Sequence, residues 1–190
     1  SDRGRVGCVE YLALESGGAI DLEQLVQWLS KRGEKMPHAA AMVLADALLE
    51  SLHAAHETTG PDGQPYTMGA LCFDNVVMGP DGGIDLLGLG YNFPVKVGAF
   101  GRGFSQAPEM LIQRNATPAA DVWAVFGLWI SVAPFGDMAE NFAAGISGDA
   151  RRAPEIHQLM VDMQQAVLQP SPAERLGSVA ALHDIFKKVR

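Results

Sequence analysis

Side chains able to do chemistry are sparse in this 190-residue chain, and most stand alone. Cys8 and Cys72 are its two thiols, with neither metal-ligand spacing nor a disulfide framework around them. No Lys, Arg or His neighbours Cys72 to lower its pKa, so it reads as an inert thiol. His53 and His56 stand near the end of a helical stretch, where a histidine serves the last carbonyls more readily than it serves as a base. Two GPDG sequences, at 60–63 and 79–82, offer one aspartate each. A calcium loop needs acidic ligands at alternating positions closing on a glutamate, so these are turns. GAFGRG at 98–103 looks loosely like a phosphate cradle, but lacks an evident strand before it and helix after it. That leaves YTMGALCFDNVVM, residues 66–78, where the amide of Asn75 either ligates a metal or nucleotide or fixes the turn into the next strand.

Composition limits what these groups can do. With 48% hydrophobic and 19% charged residues the chain can bury a sizeable core, and it reads as a single domain over 1–190. A net charge of −8 repels phosphate backbones and anionic lipid, which argues against nucleic acid and membrane as partners. The longest apolar run, 122–135, is too short to span a bilayer and long enough for a buried helix. Two lone cysteines and the lack of a leader pattern at the start give the expectation of a cytoplasmic protein. Ala, Gly and Arg are abundant relative to Lys, a composition that suits a GC-rich, bacterial genome.

The elements that would position the 66–78 stretch follow from periodicity. Residues 6–16 form one apolar run, broken by Gly17 and Gly18, and read as a strand followed by a turn. Asp21 caps a helix, with Gln24 three residues on and Leu22, Leu25, Val26 and Leu29 along one face; Gly33 ends it. Pro37 opens a long helix over 37–57, whose wide apolar stripe (Met42, Leu44, Ala45, Leu48, Leu49, Leu52) implies deep burial. The second GPDG turn joins NVVM to GIDLL as a strand pair. Residues 88–106 carry little periodicity and read as a loop. Thr117 and Pro118 start a buried helix through 133, and further helices are expected near 137–146, over 156–167 and at the C-terminus along Leu182, Ile185, Phe186 and Val189. The expectation is a mainly α domain: about six helices, a short β-hairpin and one strand.

In order, YLALESGG, the long helix, the loop ending in Asn75, a strand pair, a Gly-rich segment, APE at 107–109, DVW at 121–123 and the arginine of SPAERLGS make a set. This set resembles the C-terminal lobe of a eukaryotic-like (Hanks-type) protein kinase over nearly the whole chain. The resemblance implies a hinge strand at 6–16, a catalytic-loop remnant at 66–78, an activation-segment remnant at 88–109 and a helical subdomain at 110–190. The family's N-terminal lobe would lie before residue 1, either absent or carried by a longer parent chain.

The family's catalytic loop reads H-R-D-L-x-x-x-N and its metal-binding turn D-F-G. Aligned on Asn75, the His, Arg and Asp fall on Met68, Gly69 and Ala70, and the loop lysine on Cys72. The metal-binding turn falls on Gly88, Leu89 and Gly90. An aspartate base is typically worth about 10²–10⁴ in rate, and an alanine methyl supplies none of it. Gly88 has no carboxylate with which to hold Mg²⁺ against a triphosphate, so Asn75 falls back to a turn-fixing role. The ribose-binding acid falls on Ala19 and the substrate-loop threonine on Arg102. What the resemblance retains is scaffold: Glu109 paired with Arg175, and Asp121 accepting hydrogen bonds from the catalytic-loop backbone.

The implied protein is a pseudokinase without cofactor, metal or ATP, acting as a scaffold for a protein partner or a second copy of itself. The surface an N-terminal lobe would cover includes Leu12, Leu14, Val77 and Leu89, whose exposure would favour docking. The alternative is an atypical or partner-completed phosphotransferase with residual nucleotide binding, against which Ala70 and Gly88 argue.

Overall fold

Helix α1, Leu22–Lys31, starts where the sequence supplies its cap: Asp21 Oδ1 accepts the Gln24 amide at 2.7 Å, and Gln24 Nε2 donates back to Oδ2 at 2.6 Å. The structure, a computed structural model, describes residues 2–6, 9–13, 18–69, 71–89, 106–112, 116–132, 161–163 and 165–187. The expected helix at 137–146, most of the 88–106 loop, residues 156–160, Val189, Ala70 and Gly90 lie outside them. Among the described residues the fold is mainly helical.

Helix α2, His38–His56, buries Ala41, Leu44, Ala45, Leu48, Leu49, Leu52 and Ala55. This face packs against α4, Pro118–Val132, and α5, Val179–Lys187, and these three helices form the centre of the core. A short helix, α3, runs over Pro108–Ile112. Thr117 Oγ1 caps α4 through the Ala120 amide at 3.1 Å. From Ala119 to Val132 only Trp123 and Ser131 are not buried, as expected of a helix apolar on every side. Trp129 lies edge-on to Phe186, with ring centroids 5.1 Å apart, and locks α4 to α5. Residues 161–163 and 165–167 are also helical and add Met163 and Val167 to the core. Trp28, on α1, is 53% exposed and lies under the Arg32 guanidinium. No helix of the described residues is long and apolar enough to cross a membrane.

The β structure departs from expectation in two places. The anticipated strand at 6–16 is present over Val9–Ala13 (β2), but it pairs antiparallel with a further strand that was not expected, β1 (Asp2–Val6), with Val6 opposite Val9 and Arg5 opposite Glu10. The polar DRGRV has no hydrophobic alternation to announce a strand; cross-strand pairing supplies what the pattern lacks. Second, Ile20–Asp21 form a short strand, β3, beside the expected pair of β4 (Val76–Met78) and β5 (Ile84–Leu86), so the sheet has order β3-β4-β5. Val77 therefore sits in a central strand and is 6% exposed, which corrects its expected place on an open patch. Leu89 is half-buried and packs on the core, and the side chains of Leu12 and Leu14 lie outside the description.

Candidate functional site

Asp121, in the first turn of α4, is completely buried and organises the loop that the sequence singles out. Its Oδ2 accepts the Met68 amide and its Oδ1 the Gly69 amide, both at 2.8 Å. His56 Nε2, at the end of α2, lies 2.9 Å from Oδ2. A carboxylate can only accept here, so Nε2 carries the ring proton and donates it. One carboxylate thus satisfies three buried donors from two other segments, and the N-terminal end of α4 favours its negative charge. The chain returns from α2 to this point through the first GPDG turn, closed by Gly60 N–H to Gln64 C=O at 2.7 Å and Tyr66 N–H to Thr58 C=O at 3.1 Å.

Gly69 is required by this geometry. Its φ is +62°, and a Cβ built there would lie 2.6 Å from Ala116 Cβ. Gly69→Ala combines left-handed strain with overpacking and is expected to cost about 2–4 kcal/mol. A urea-unfolding midpoint unchanged by the substitution would show the loop relaxing away from α4.

Further along, Asn75 Oδ1 accepts the Cys72 amide at 2.8 Å, and the Cys72 side chain receives the Asn75 amide in return. Together they cap a single 3₁₀ turn over Phe73–Asn75, and Leu87 N–H donates to the Asn75 carbonyl at 2.9 Å. Asn75 is therefore part of the turn that delivers the chain into β4. Burial pushes the Cys72 thiol up against the lowering effect of the Asp74 and Asn75 amides, the opposite of nucleophile activation. The stretch 66–89 holds three carboxylates, Asp74, Asp81 and Asp85, and all are exposed. Partial loss of hydration, then the negative charges of Glu23 and Asp21, raise the Asp74 carboxyl. Asp81 closes its own turn by accepting the Gly83 amide at 3.0 Å. Gly88 follows β5 with φ +82°, a conformation that glycine adopts freely and most side chains resist.

Glu109, in α3, and Arg175 meet across 66 residues in a buried two-pronged ion pair, Nη1–Oε1 2.6 Å and Nη2–Oε2 3.0 Å. Arg175 Nη1 also donates to the Ala119 carbonyl at 3.1 Å, and its Nε and Nη2 to the Gln169 carbonyl at 3.1 and 3.0 Å. The guanidinium lies 4.9 Å from the Trp123 ring centroid. One residue thereby joins α3, α4 and the segment before α5.

The structure brings together Glu109 with Arg175, Asp121 with Met68 and Gly69, and Cys72 with Asn75. Ala70 and Gly90 lie outside the described residues. No family model matches the chain, and no curated protein matches it.

Sequence reasoning overlooked His56 as the third partner of Asp121, assigning it to helix carbonyls. The signal was present: His56 follows Leu49 and Leu52 at seven and four residues, on the buried face of α2. Trp123 beneath Arg175 was also missed as a stacking partner, because nothing local links residues 52 positions apart.

Proposed function

We propose that this chain is the C-terminal lobe of a kinase-like protein that transfers no phosphoryl group and acts as a protein-interaction scaffold. The observation that carries the reading is how the polar groups of 66–89 are used. Asp121 holds the Met68 and Gly69 amides, Asn75 is occupied by the Cys72 amide, and Gly88 offers no side chain. A phosphotransfer site needs a base at the substrate hydroxyl and carboxylates around Mg²⁺. Here the loop's hydrogen bonds run inward and fasten it to α4.

The described surface offers apolar side chains suited to a scaffold, with Leu111 and Ile112 of α3 at 56% and 80% exposure. An apolar helix end of this kind fits a protein partner better than an anionic polymer, which the net charge of −8 repels.

The reading is tested by thermal unfolding with millimolar ATP, with and without Mg²⁺ or Mn²⁺. A ligand at a hundredfold excess over its dissociation constant stabilises a folded chain by about 2.7 kcal/mol. The expected result is no shift under any of these conditions. A metal-dependent rise in Tm would reveal an intact nucleotide site and overturn the assignment as inactive.

A further inference from the structure

We propose that Asp46, Glu50 and His183 form a binding site for one divalent transition-metal ion of the zinc type, clamping α5 onto α2. A ligand atom from each of the three side chains lies within 4.8 Å of the other two. Asp46 and Glu50 are one turn apart on α2, and His183 reaches them from α5 with Nε2 2.5 Å from Asp46 Oδ1. That hydrogen bond explains why a buried histidine is tolerated, and Glu50 adds a second carboxylate at the same point. Two carboxylates at this helical spacing repel each other weakly, and a shared cation turns that repulsion into attraction.

The donor set selects the ion. One imidazole with two carboxylates is a borderline nitrogen–oxygen set, suited to Zn²⁺, Co²⁺ or Ni²⁺, whereas Mg²⁺ favours all-oxygen coordination and retained water. Tetrahedral bonds of about 2.0–2.2 Å put ligand atoms about 3.4 Å apart. Reaching that geometry requires the Asp46–His183 pair to open slightly and the exposed Glu50 carboxylate to swing in. The ion takes the Nε2 lone pair, leaving the neutral ring's one proton on Nδ1. Glu50 is exposed and Asp46 half-buried, so a fourth position faces water. The site lies six to ten residues before His56, about 9–15 Å along α2, and does not depend on the kinase-like reading.

The decisive experiment titrates the folded chain with ZnCl2, CoCl2 and, as control, MgCl2, following heat of binding and Tm. One Zn²⁺ or Co²⁺ per chain, with a raised Tm and no response to Mg²⁺, is expected. Glu50→Gln, an exposed change that relieves a like-charge pair and so does not lower the metal-free Tm, should weaken binding at least about tenfold, since even groups behind metal ligands are worth about 10–100-fold. His183→Gln should abolish it; if that variant fails to fold, Glu50→Gln and Asp46→Asn still decide. Absence of saturable zinc binding, or binding that Glu50→Gln leaves intact, overturns the proposal.

Discussion

Asp121→Ala should be the most damaging single substitution in the chain. It removes a fully buried carboxylate and leaves three donors, the Met68 and Gly69 amides and His56 Nε2, without an acceptor. Each buried donor left unsatisfied costs about 1–3 kcal/mol, so the total is on the order of 5 kcal/mol, a large share of a typical domain's stability. Urea unfolding followed by far-ultraviolet circular dichroism should show either a much lower midpoint or a chain already unfolded in water. Asp121→Asn separates charge from acceptor capacity: it keeps one accepting oxygen but aims an amide NH₂ at a donor, and should recover only part of the loss. A loss below about 1 kcal/mol for Asp121→Ala would mean that water replaces the carboxylate and that the loop is not held by α4.

Arg175→Ala comes next. Glu109, 7% exposed, would keep its charge without its partner, and the Ala119 and Gln169 carbonyls would lose their donors. Breaking one side of a buried pair costs about 3–5 kcal/mol, mostly through the charge left behind. The companion variant Glu109→Gln/Arg175→Met removes both charges and should lie closer to the parent than either single change does. Were the double variant as unstable as Arg175→Ala alone, the cost would have to come from the stacking on Trp123 and the lost carbonyl bonds.

The helical half of the fold was legible because its signals are local. The Asp21 cap with Gln24, the stripe on α2, the Thr117 cap and the apolar α4 each lie within one helix and set its start or its buried face. Strands β1 and β3 were missed for the opposite reason: DRGRV and Ile20–Asp21 become strands only when a partner supplies the hydrogen bonds. In the site, the Glu109–Arg175 and Asp121–loop contacts were expected only through resemblance to a family, since spacing alone cannot join residues 52 to 66 positions apart. His56 was placed wrongly because its helix position was read and its helical face was not. The Asp46–His183 contact, 137 residues across, left no trace in the sequence.

The acceptor that holds the 66–78 loop lies 52 residues downstream of Gly69. At synthesis rates of about 5–20 residues per second, the loop leaves the ribosome about 3–10 seconds before Asp121 emerges to bind it. Through that interval Met68 and Leu71, both buried in the finished protein, have no core to enter. The nascent chain therefore passes through a stage with an unfastened apolar segment, and truncations ending before α4 should be captured by chaperones or degraded even though α1 and α2 are complete.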